Sequence, residues 1–321
     1  MTAMPHSNTF EPIDLSKIET YELSSRPSKV AADNFAKPVS ADDSLREFLA
    51  KFPGILASDS LRRVAERIRD AKLKEKPIIW GIGGHVVKTG LAPVMIDLMN
   101  RGYVSLIAAN GSVLVHDSEM AMAGFTSEDV DASLSSGDFG AARETGYLLN
   151  SSAKKAMDEK RGLGTVLGED LKSRVLKFPE LSLLKTAHDL NIPFTAHLTI
   201  GTDIGNFHPN ADGAALGASS HTDFRIFCSA VKELNGGGVY LNVGSAVTMP
   251  EIFLKAVTVV RNLGNHLEDF TTANFDFIQH YRPITNVVKR PVANGAGQGF
   301  AITGHHEIMI PLLAAHIICG E

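Results

Sequence analysis

Short apolar runs recur along most of the chain, and stretches with helical spacing separate them. The runs end at Gly, Asn or Asp and are short, which predicts β-strands rather than buried helices. They lie at residues 77–82, 104–109, 193–198, 238–243, 269–275 and 300–303. Because strands that alternate with helices favour a parallel sheet covered on both faces, we expect a doubly wound, mostly parallel six-stranded α/β fold of the Rossmann-like type.

Two regions depart from this alternation. Residues 1–40 are rich in Pro, Ser, Asn and Lys, with single scattered apolar residues, which indicates an extended N-terminal arm or a partly disordered tail. Residues 127–190 show helical spacing without a clear strand, which predicts a helical insertion. We therefore expect the arm to be followed by a single α/β domain over residues 41–321.

Composition narrows the function classes. The 321 residues carry a net charge of −5 and are 44% hydrophobic, as in soluble globular proteins. The acidic excess disfavours a nucleic-acid-binding surface, and two cysteines, Cys228 and Cys319, cannot build a disulfide framework or a four-Cys zinc site. Since no apolar run is long enough for a membrane span and no signal pattern opens the chain, we expect a cytoplasmic protein.

The loop after the first predicted strand is rich in glycine. In doubly wound sheets, ligands bind beyond the carboxyl ends of the strands. Gly83, Gly84 and His85 lie in the segment GIGGHVVKTGLAP, where glycines let the backbone approach an anion closely. The spacing differs from the usual dinucleotide-binding fingerprint, so an ordinary strand–helix turn explains the loop equally well.

The loop after the second predicted strand gathers polar side chains. Asn110, His116, Asp117 and Glu119 fall within the ten residues NGSVLVHDSE. Groups of this kind suit ribose hydroxyls, an amine or a metal ion. The alternative is an Asn-Gly turn followed by a capped helix.

Polar residues also flank the remaining strands. The third strand is followed by Asp203 and His208, and the fourth is preceded by Gly237 and Gly238. We take as further candidates the residues that end or follow the last three strands: Asn242, Ser245, Glu251, Asn274, Asp276, His305, His306 and Glu307.

Several of these segments together resemble the deoxyhypusine synthase family. The resemblance is carried by PIIWGIGGHVVKTGL, LIAANGSVLVHDSE, NIPFTAHLTIGTDIG, NGGGVYLNVGSA and ITGHHEIMIPLLAAHI, in this order, from about residue 40 to the C-terminus. It implies a Rossmann-like domain that binds NAD, oxidation of the amine spermidine, transfer of a butylamine group through an enzyme lysine to a translation factor, and homotetramers with sites between paired subunits.

The resemblance and the loop positions together suggest a cofactor-binding set. Its members are Gly83, Gly84, His85, Asn110, Gly111, Asp203, Gly237, Gly238, Asn274 and Asp276. Asn242, Ser245 and Glu251 are the corresponding substrate candidates.

The departures from the family concern its chemistry. The family's GGGV strand continues with a lysine, whereas here it continues as Tyr240-Leu241-Asn242. The Trp-Gly-Lys motif with the nucleophilic lysine is absent, since the only Trp is Trp80, and Lys289 lies at a comparable distance before the last strand in a poorly matching context. The family's acidic segment is reduced to Asn274-Phe275-Asp276. We therefore expect a divergent paralogue that does not modify the translation factor.

Three functions stay open from the sequence. The first is an NAD-dependent enzyme that acts on a small amine or related metabolite, with His116, Asp117, His305 and Lys289 as catalytic candidates and no metal. The second is a metal-dependent enzyme, because histidines collect near the strand ends. The third is a non-catalytic paralogue that binds NAD or a protein partner. In each case we expect a homo-oligomer.

Overall fold

A computed structural model describes residues 10–320. Six parallel strands form one sheet in the order β3-β2-β1-β4-β5-β6, which is the order of dinucleotide-binding folds. The doubly wound fold predicted from the sequence is confirmed, and each predicted strand is present. The strands are β1 (Ile78–Ile82), β2 (Leu106–Asn110), β3 (Phe194–His197), β4 (Gly238–Val243), β5 (Phe270–Asp276) and β6 (Gln298–Thr303).

Helices cover both faces of the sheet and fill the connections between strands. Within the described residues they are α1 (Leu45–Ala50), α2 (Leu56–Leu73), α3 (His85–Lys88), α4 (Ala92–Asn100), α5 (Gly111–Ala123), α6 (Val130–Leu134), α7 (Arg143–Asp158), α8 (Leu163–Lys172), α9 (Leu183–Asp189), α10 (Gly213–Lys232), α11 (Thr248–Asn262), α12 (Tyr281–Pro283) and α13 (His306–Cys319). A π-helical turn, Ile284–Lys289, follows α12. Residues 127–190 therefore contain helices and no strand, as the sequence predicts.

Alternation along the strands divides the core between the two faces. Trp80 and Ile82 pack with α2, α4, α5 and α13 on one face, while Ile79 packs with α10 and α11 on the other. This is the period-2 alternation of a strand that is buried on both sides. The Trp80 indole also donates a hydrogen bond to the Tyr103 carbonyl at 3.1 Å, so its one polar atom is satisfied.

The described part of the N-terminal arm is extended and contains two short 3-10 turns, Leu23–Ser25 and Ala32–Asn34. Two backbone hydrogen bonds, from Gly54 to Asn34 and from Lys37 to Lys51, fasten its end to the body. Large apolar side chains along it are exposed: Phe10, Ile13, Leu15, Ile18, Tyr21, Leu23, Val30, Phe35 and Val39. The first nine residues of the predicted arm lie outside the described residues.

Asp117, which the sequence analysis took as a catalytic candidate, joins α5 to α9 in the structure. Its fully buried carboxylate accepts hydrogen bonds from the Ser182 hydroxyl at 2.7 Å and from the backbone N–H groups of Leu183 and Leu184 at 2.6 and 3.2 Å. These are the free N–H groups that open α9. Because burial outweighs the hydrogen bonds, it raises the pKa of Asp117 to about 6. The carboxyl group is thus a buried helix cap that faces no cavity described below.

Replacing Asp117 with Asn tests this assignment through pH. Between the ordinary pKa of 3.8 and about 6 the folded state holds a proton that the unfolded chain releases, so the contribution of Asp117 is greatest below that window and declines as pH rises through it. Relative to Asp117→Asn, the wild type should lose about 2 kcal/mol of unfolding free energy between about pH 4 and pH 7, measured by urea denaturation. A pH-independent difference would contradict the assignment.

Tyr240 offers a second stability test. Its ring stacks on Phe253 with centroids 3.8 Å apart, and among the described residues its buried hydroxyl has no hydrogen-bond partner. Tyr240→Phe should leave the unfolding free energy unchanged or raise it by about 1 kcal/mol, because an unpaired buried hydroxyl is costly. Gly81→Ala, whose new methyl would meet the same hydroxyl, should destabilise the protein. Thermal denaturation of both variants decides this, and a clear loss in Tyr240→Phe would show that the hydroxyl has a partner.

Candidate functional site

The loops after β1 and β4 touch directly at the point where the strand order reverses. The Gly83 amide donates to the Val243 carbonyl at 2.9 Å, and the carbonyl oxygen of Gly244 occupies the place that a Cβ on Gly83 would need. Gly83 therefore permits the close approach of the two loops. Because these two loops touch, any cavity for a ligand at the carboxyl edge of the sheet must lie on one side or the other of their contact.

One such space, the first cavity, opens at the carboxyl ends of β2 and β3 and has a volume of about 210 Å³. It lies at the start of α5, and the side chains around it are mixed in polarity. The lining residues are Lys88, Gly111, Ser112, Val115, His116, Glu119, Ser127, Glu128, Val130, Phe139, Thr202, Asp203 and Ile204. The structure thus brings together three residues of the predicted catalytic and cofactor-binding sets, namely Gly111, His116 and Asp203, with Glu119, which the sequence analysis named without a role.

A second cavity of about 470 Å³ adjoins the first and shares Glu119, Ser127 and Glu128 with it. Its remaining lining is apolar except for Glu144 and the two hydroxyl residues Thr126 and Thr145, and the apolar members are Met122, Ala123, Phe125 and Ala142. Ser127, between the cavities, has a φ of 69°, which is uncommon for a residue other than glycine. Together the two cavities reach the size range of small-molecule sites, about 300–1,000 Å³.

The start of α5 explains why polar groups meet at the first cavity. Asn110 ends β2 and its side chain accepts from the Val113 amide at 3.4 Å and from the Ser112 hydroxyl at 2.9 Å, so it caps the helix. The Asp203 carboxyl group lies where a Cβ on Gly111 would be, and burial raises the pKa of Asp203. The start of α5 is therefore bordered by an amide cap and a carboxyl group.

His116 stands in the wall of the first cavity. Its Nδ1 lies 2.8 Å from the Thr126 hydroxyl oxygen, and Thr126 in turn donates to Glu119. A Cβ on Gly84 would lie 3.0 Å from His116 Cδ2, so the glycine-rich loop after β1 packs against this ring. Burial, helped by the nearby Lys88 cation, lowers the pKa of His116 to about 4, so the ring is neutral at physiological pH.

A separate aromatic group lies on the other side of the β1 loop. Phe277, after β5, stacks on His305 with an interplanar angle of 5°, and its ring centroid is 5.9 Å from that of His85. His306 packs against the same phenylalanine and its Nε2 donates to the Phe275 carbonyl at 3.1 Å. The predicted candidates His85 and His305 are therefore together, but apart from the first cavity. Asp276 ends β5 beside them and accepts from the Phe277 amide at 2.9 Å.

The asparagine candidates are buried beneath the loops. Asn242 and Asn274 are opposite each other on β4 and β5, and the Asn242 amide donates to the Asn274 side-chain oxygen at 2.6 Å and to the Ser245 carbonyl at 2.9 Å. The Ser245 hydroxyl accepts from the Met249 amide at the start of α11. All three are below the surface, so the structure gives them a part in shaping the loops rather than a cavity to face.

Four candidates lie away from both cavities. Gly237 and Gly238 precede and begin β4, so they are at the amino edge of the sheet, opposite the other candidates. Glu251 is on the surface, where it accepts from Asn286 at 2.8 Å and pairs with Arg282 and Lys255. Lys289 is exposed in a turn whose Val287 carbonyl accepts from Thr272, near the amino end of β5. These positions correct the grouping drawn from sequence.

Several lining residues escaped the sequence analysis. Lys88, Ser112, Thr126 and Thr145 come from four different segments, and Glu119 was noticed but assigned no role. One signal was available: Ser112, His116 and Glu119 are spaced by four and three residues, which places them on one face of a helix. Asp117, one position on, points to another face.

The described residues contain neither a grouped set of metal ligands nor a helix that could span a membrane. Within residues 10–320, no three His, Cys, Asp or Glu side chains are grouped so that they could hold a metal ion. The histidines near the strand ends are thus divided between separate surroundings. In the same range, no helix has both the length and the apolar character needed to cross a bilayer.

Comparisons with known proteins show a similarity of fold and no similarity of sequence. No family model and no curated protein matches the sequence. Among solved structures, a conserved protein of Methanococcus maripaludis S2, provisionally assigned as LOR/SDH, covers 82% of this chain and 70% of its own with a TM-score of 0.51 and 15% identity. AgrE in ternary complex with ornithine and NAD+ covers 80% of this chain at a TM-score of 0.51 and 13% identity, and this chain spans only 32% of AgrE.

A protein of Entamoeba histolytica, provisionally described as a deoxyhypusine synthase, aligns over 88% of this chain and 96% of its own. Its TM-score of 0.45 and identity of 11% are too low to support an argument. At such identities the other two similarities show a common fold and nothing finer. The family resemblance seen in the sequence therefore stays a prediction.

Proposed function

We propose that this chain is an NAD-dependent enzyme that acts on a small amine or a related metabolite. The observation that carries the proposal is the position of His116, a neutral base candidate, in the lining of the first cavity and within hydrogen-bond distance of Thr126, which lines the adjoining second cavity. The first is suited to part of a dinucleotide and the second to a cation with an apolar stem.

Features of the first cavity fit NAD. The start of α5 at Gly111 offers backbone N–H groups and Lys88 offers a positive charge, and both suit a phosphate group. The sheet has the strand order of dinucleotide-binding folds, and AgrE, which shares this fold, binds NAD+. In this assignment Lys88, Gly111 and Ser112 hold the cofactor, and Asp203 and Asn110 shape its seat.

Features of the second cavity favour a cationic substrate. Glu119, Glu128 and Glu144 contribute carboxylates, and none of its lining residues is Lys, Arg or His. Met122, Ala123 and Phe125 supply an apolar wall against which an alkyl chain can pack. AgrE, of which this chain spans 32%, has been captured in a complex with NAD+ and with ornithine, itself an amine. The carboxylates would select against acidic metabolites by repulsion.

When bound, NAD+ would accept a hydride from the carbon next to the amine nitrogen. His116 lines the first cavity and is neutral at physiological pH, so it can take a proton from an amine nitrogen that reaches from the second cavity into the first. Lys289 lies at the surface away from both cavities, so we assign it no nucleophilic role. Modification of a translation factor through an enzyme lysine is therefore not part of the proposal.

We also propose a homo-oligomer in which the arm packs on another copy of the chain. The support is the row of exposed apolar side chains along the arm, including Leu23 and Phe35 at 71% and 65% exposure. Apolar side chains in such a row are typical of a surface that is covered in the working protein.

Cofactor binding is the first test. Calorimetry should detect NAD+ or NADH binding at submillimolar concentrations, and Lys88→Gln should weaken it about tenfold through loss of one charged contact. Lys232→Gln, on α10 outside both cavities, is the matched control and should bind normally. Absence of any heat at millimolar cofactor would exclude the proposal.

Turnover with the same cofactor completes this test. A panel of monoamines, diamines and amino acids is incubated with NAD+, and NADH formation is followed. His116→Ala should lower the rate about 10²–10⁴-fold while leaving NAD binding intact, whereas His266→Ala, in an exposed loop, should have no effect. NAD binding without turnover of any amine would favour the non-catalytic paralogue.

Association is tested by light scattering. The full chain should have a mass of at least twice the 34.5 kDa of one chain. The double variant Leu23→Ser/Phe35→Ser should dissociate at a higher protein concentration than the wild type, because it removes apolar contacts of the arm. Leu73→Ser, which changes a side chain that is 82% exposed on α2, is the control. A monomer at every concentration would contradict the proposal.

A further inference from the structure

A continuous set of hydrogen bonds runs through the wall between the two cavities. The Thr145 hydroxyl, from α7, donates to Glu119 Oε1 at 2.9 Å, and the Thr126 hydroxyl donates to Glu119 Oε2. His116 Nδ1 lies 2.8 Å from the same Thr126 oxygen. The series His116–Thr126–Glu119–Thr145 is called the relay below.

Counting protons along the relay fixes the state of the histidine. An ionised carboxylate only accepts hydrogen bonds, and a hydroxyl has a single proton to donate. Thr126 gives that proton to Glu119, so toward His116 its oxygen can only accept. The proton between the two must therefore be on His116 Nδ1, which leaves Nε2 with its lone pair.

The opposite edge of the ring is the one that matters for ligands. Gly84 and Ser112 border His116 near Cδ2, the atom next to Nε2, and Ser112 lines the first cavity. We infer that Glu119, acting through Thr126, is a positioning residue that holds His116 in the Nδ1–H tautomer and presents Nε2 to the first cavity as a proton acceptor. The use of Nε2 as a base rests on the proposed function, whereas the tautomer does not.

The local backbone is arranged around this relay. His116 and Glu119 are three residues apart on α5, so their side chains project from the same face. Gly124 ends α5 in a left-handed conformation with φ of 85°, and Ser127 has φ of 69°. The chain reverses direction between Gly124 and Ser127. This turn places the Thr126 hydroxyl between His116 and Glu119.

The tautomer is measured directly by long-range ¹H–¹⁵N spectra of protein labelled with ¹⁵N-histidine, without NAD or amine. His116→Gln identifies the signals of His116 among the 12 histidines. The wild type should show Nδ1–H. Thr126→Val removes the acceptor, and Glu119→Leu frees the Thr126 proton to turn toward Nδ1, so in both the ratio of Nδ1–H to Nε2–H should fall about fivefold or more.

Two variants separate the relay from general loosening. Thr126→Ser keeps the hydroxyl and should keep the wild-type tautomer. Thr145→Val removes the other hydroxyl on Glu119 and should also keep it, and circular dichroism confirms that each variant is folded. An Nε2–H tautomer in the wild type, an unchanged ratio in Thr126→Val, or an equal fall in Thr145→Val would overturn the inference. Because no ligand is present, this result is independent of the cofactor and turnover tests.

Discussion

The abrupt passage from β2 into α5 is the constraint on which the candidate site depends. Asn110 is the last residue of the strand and also the cap of the helix, so no loop intervenes between them. Such a passage needs a residue without a side chain at Gly111, because the Asp203 carboxyl group fills the adjoining space. The helix start is thereby held at the sheet edge, and Ser112, His116 and Glu119 follow at fixed positions along one face. The cavities are a consequence of this geometry.

Adjacent residues on α5 illustrate what the sequence could not resolve. His116 and Asp117 form one polar pair in the chain, and both were predicted to be catalytic. A rotation of about 100° per residue sends the histidine to the cavity wall and the carboxylate into the interior, where it caps α9. Which of the two faces a ligand depends on the phase of the helix relative to its neighbours, and that phase is set by packing with α7 and α9. The four- and three-residue spacing of Ser112, His116 and Glu119 already indicated that these three share one face of the helix.

The strand pattern was readable because the sheet is buried on both faces, so each strand is a compact apolar run. The edges of the sheet were less readable. Gly237 and Gly238 were placed in the cofactor-binding set although they precede the fourth strand. In a parallel sheet that position is at the amino edge, as the pairing of Gly238 with Phe270 at the start of β5 shows, whereas ligands bind at the carboxyl edge. Glycine indicates that the backbone needs freedom or space, and not whether a ligand causes that need.

Charge in the two cavities supports the amine that we propose as substrate. Lys88 is the one fixed cation in their lining, whereas Glu119, Glu128, Glu144 and Asp203 are carboxyl groups. Glu119, Glu128 and Glu144 line the second cavity, and burial raises the pKa of Asp203 in the first. Two hydroxyl donors hold Glu119 in the shared wall, so this carboxyl group has a fixed position in the relay. An acidic substrate would meet repulsion from Glu119, Glu128 and Glu144 in the second cavity, whereas a cation with an apolar stem would be attracted there, with the neutral His116 of the adjoining cavity as its proton acceptor.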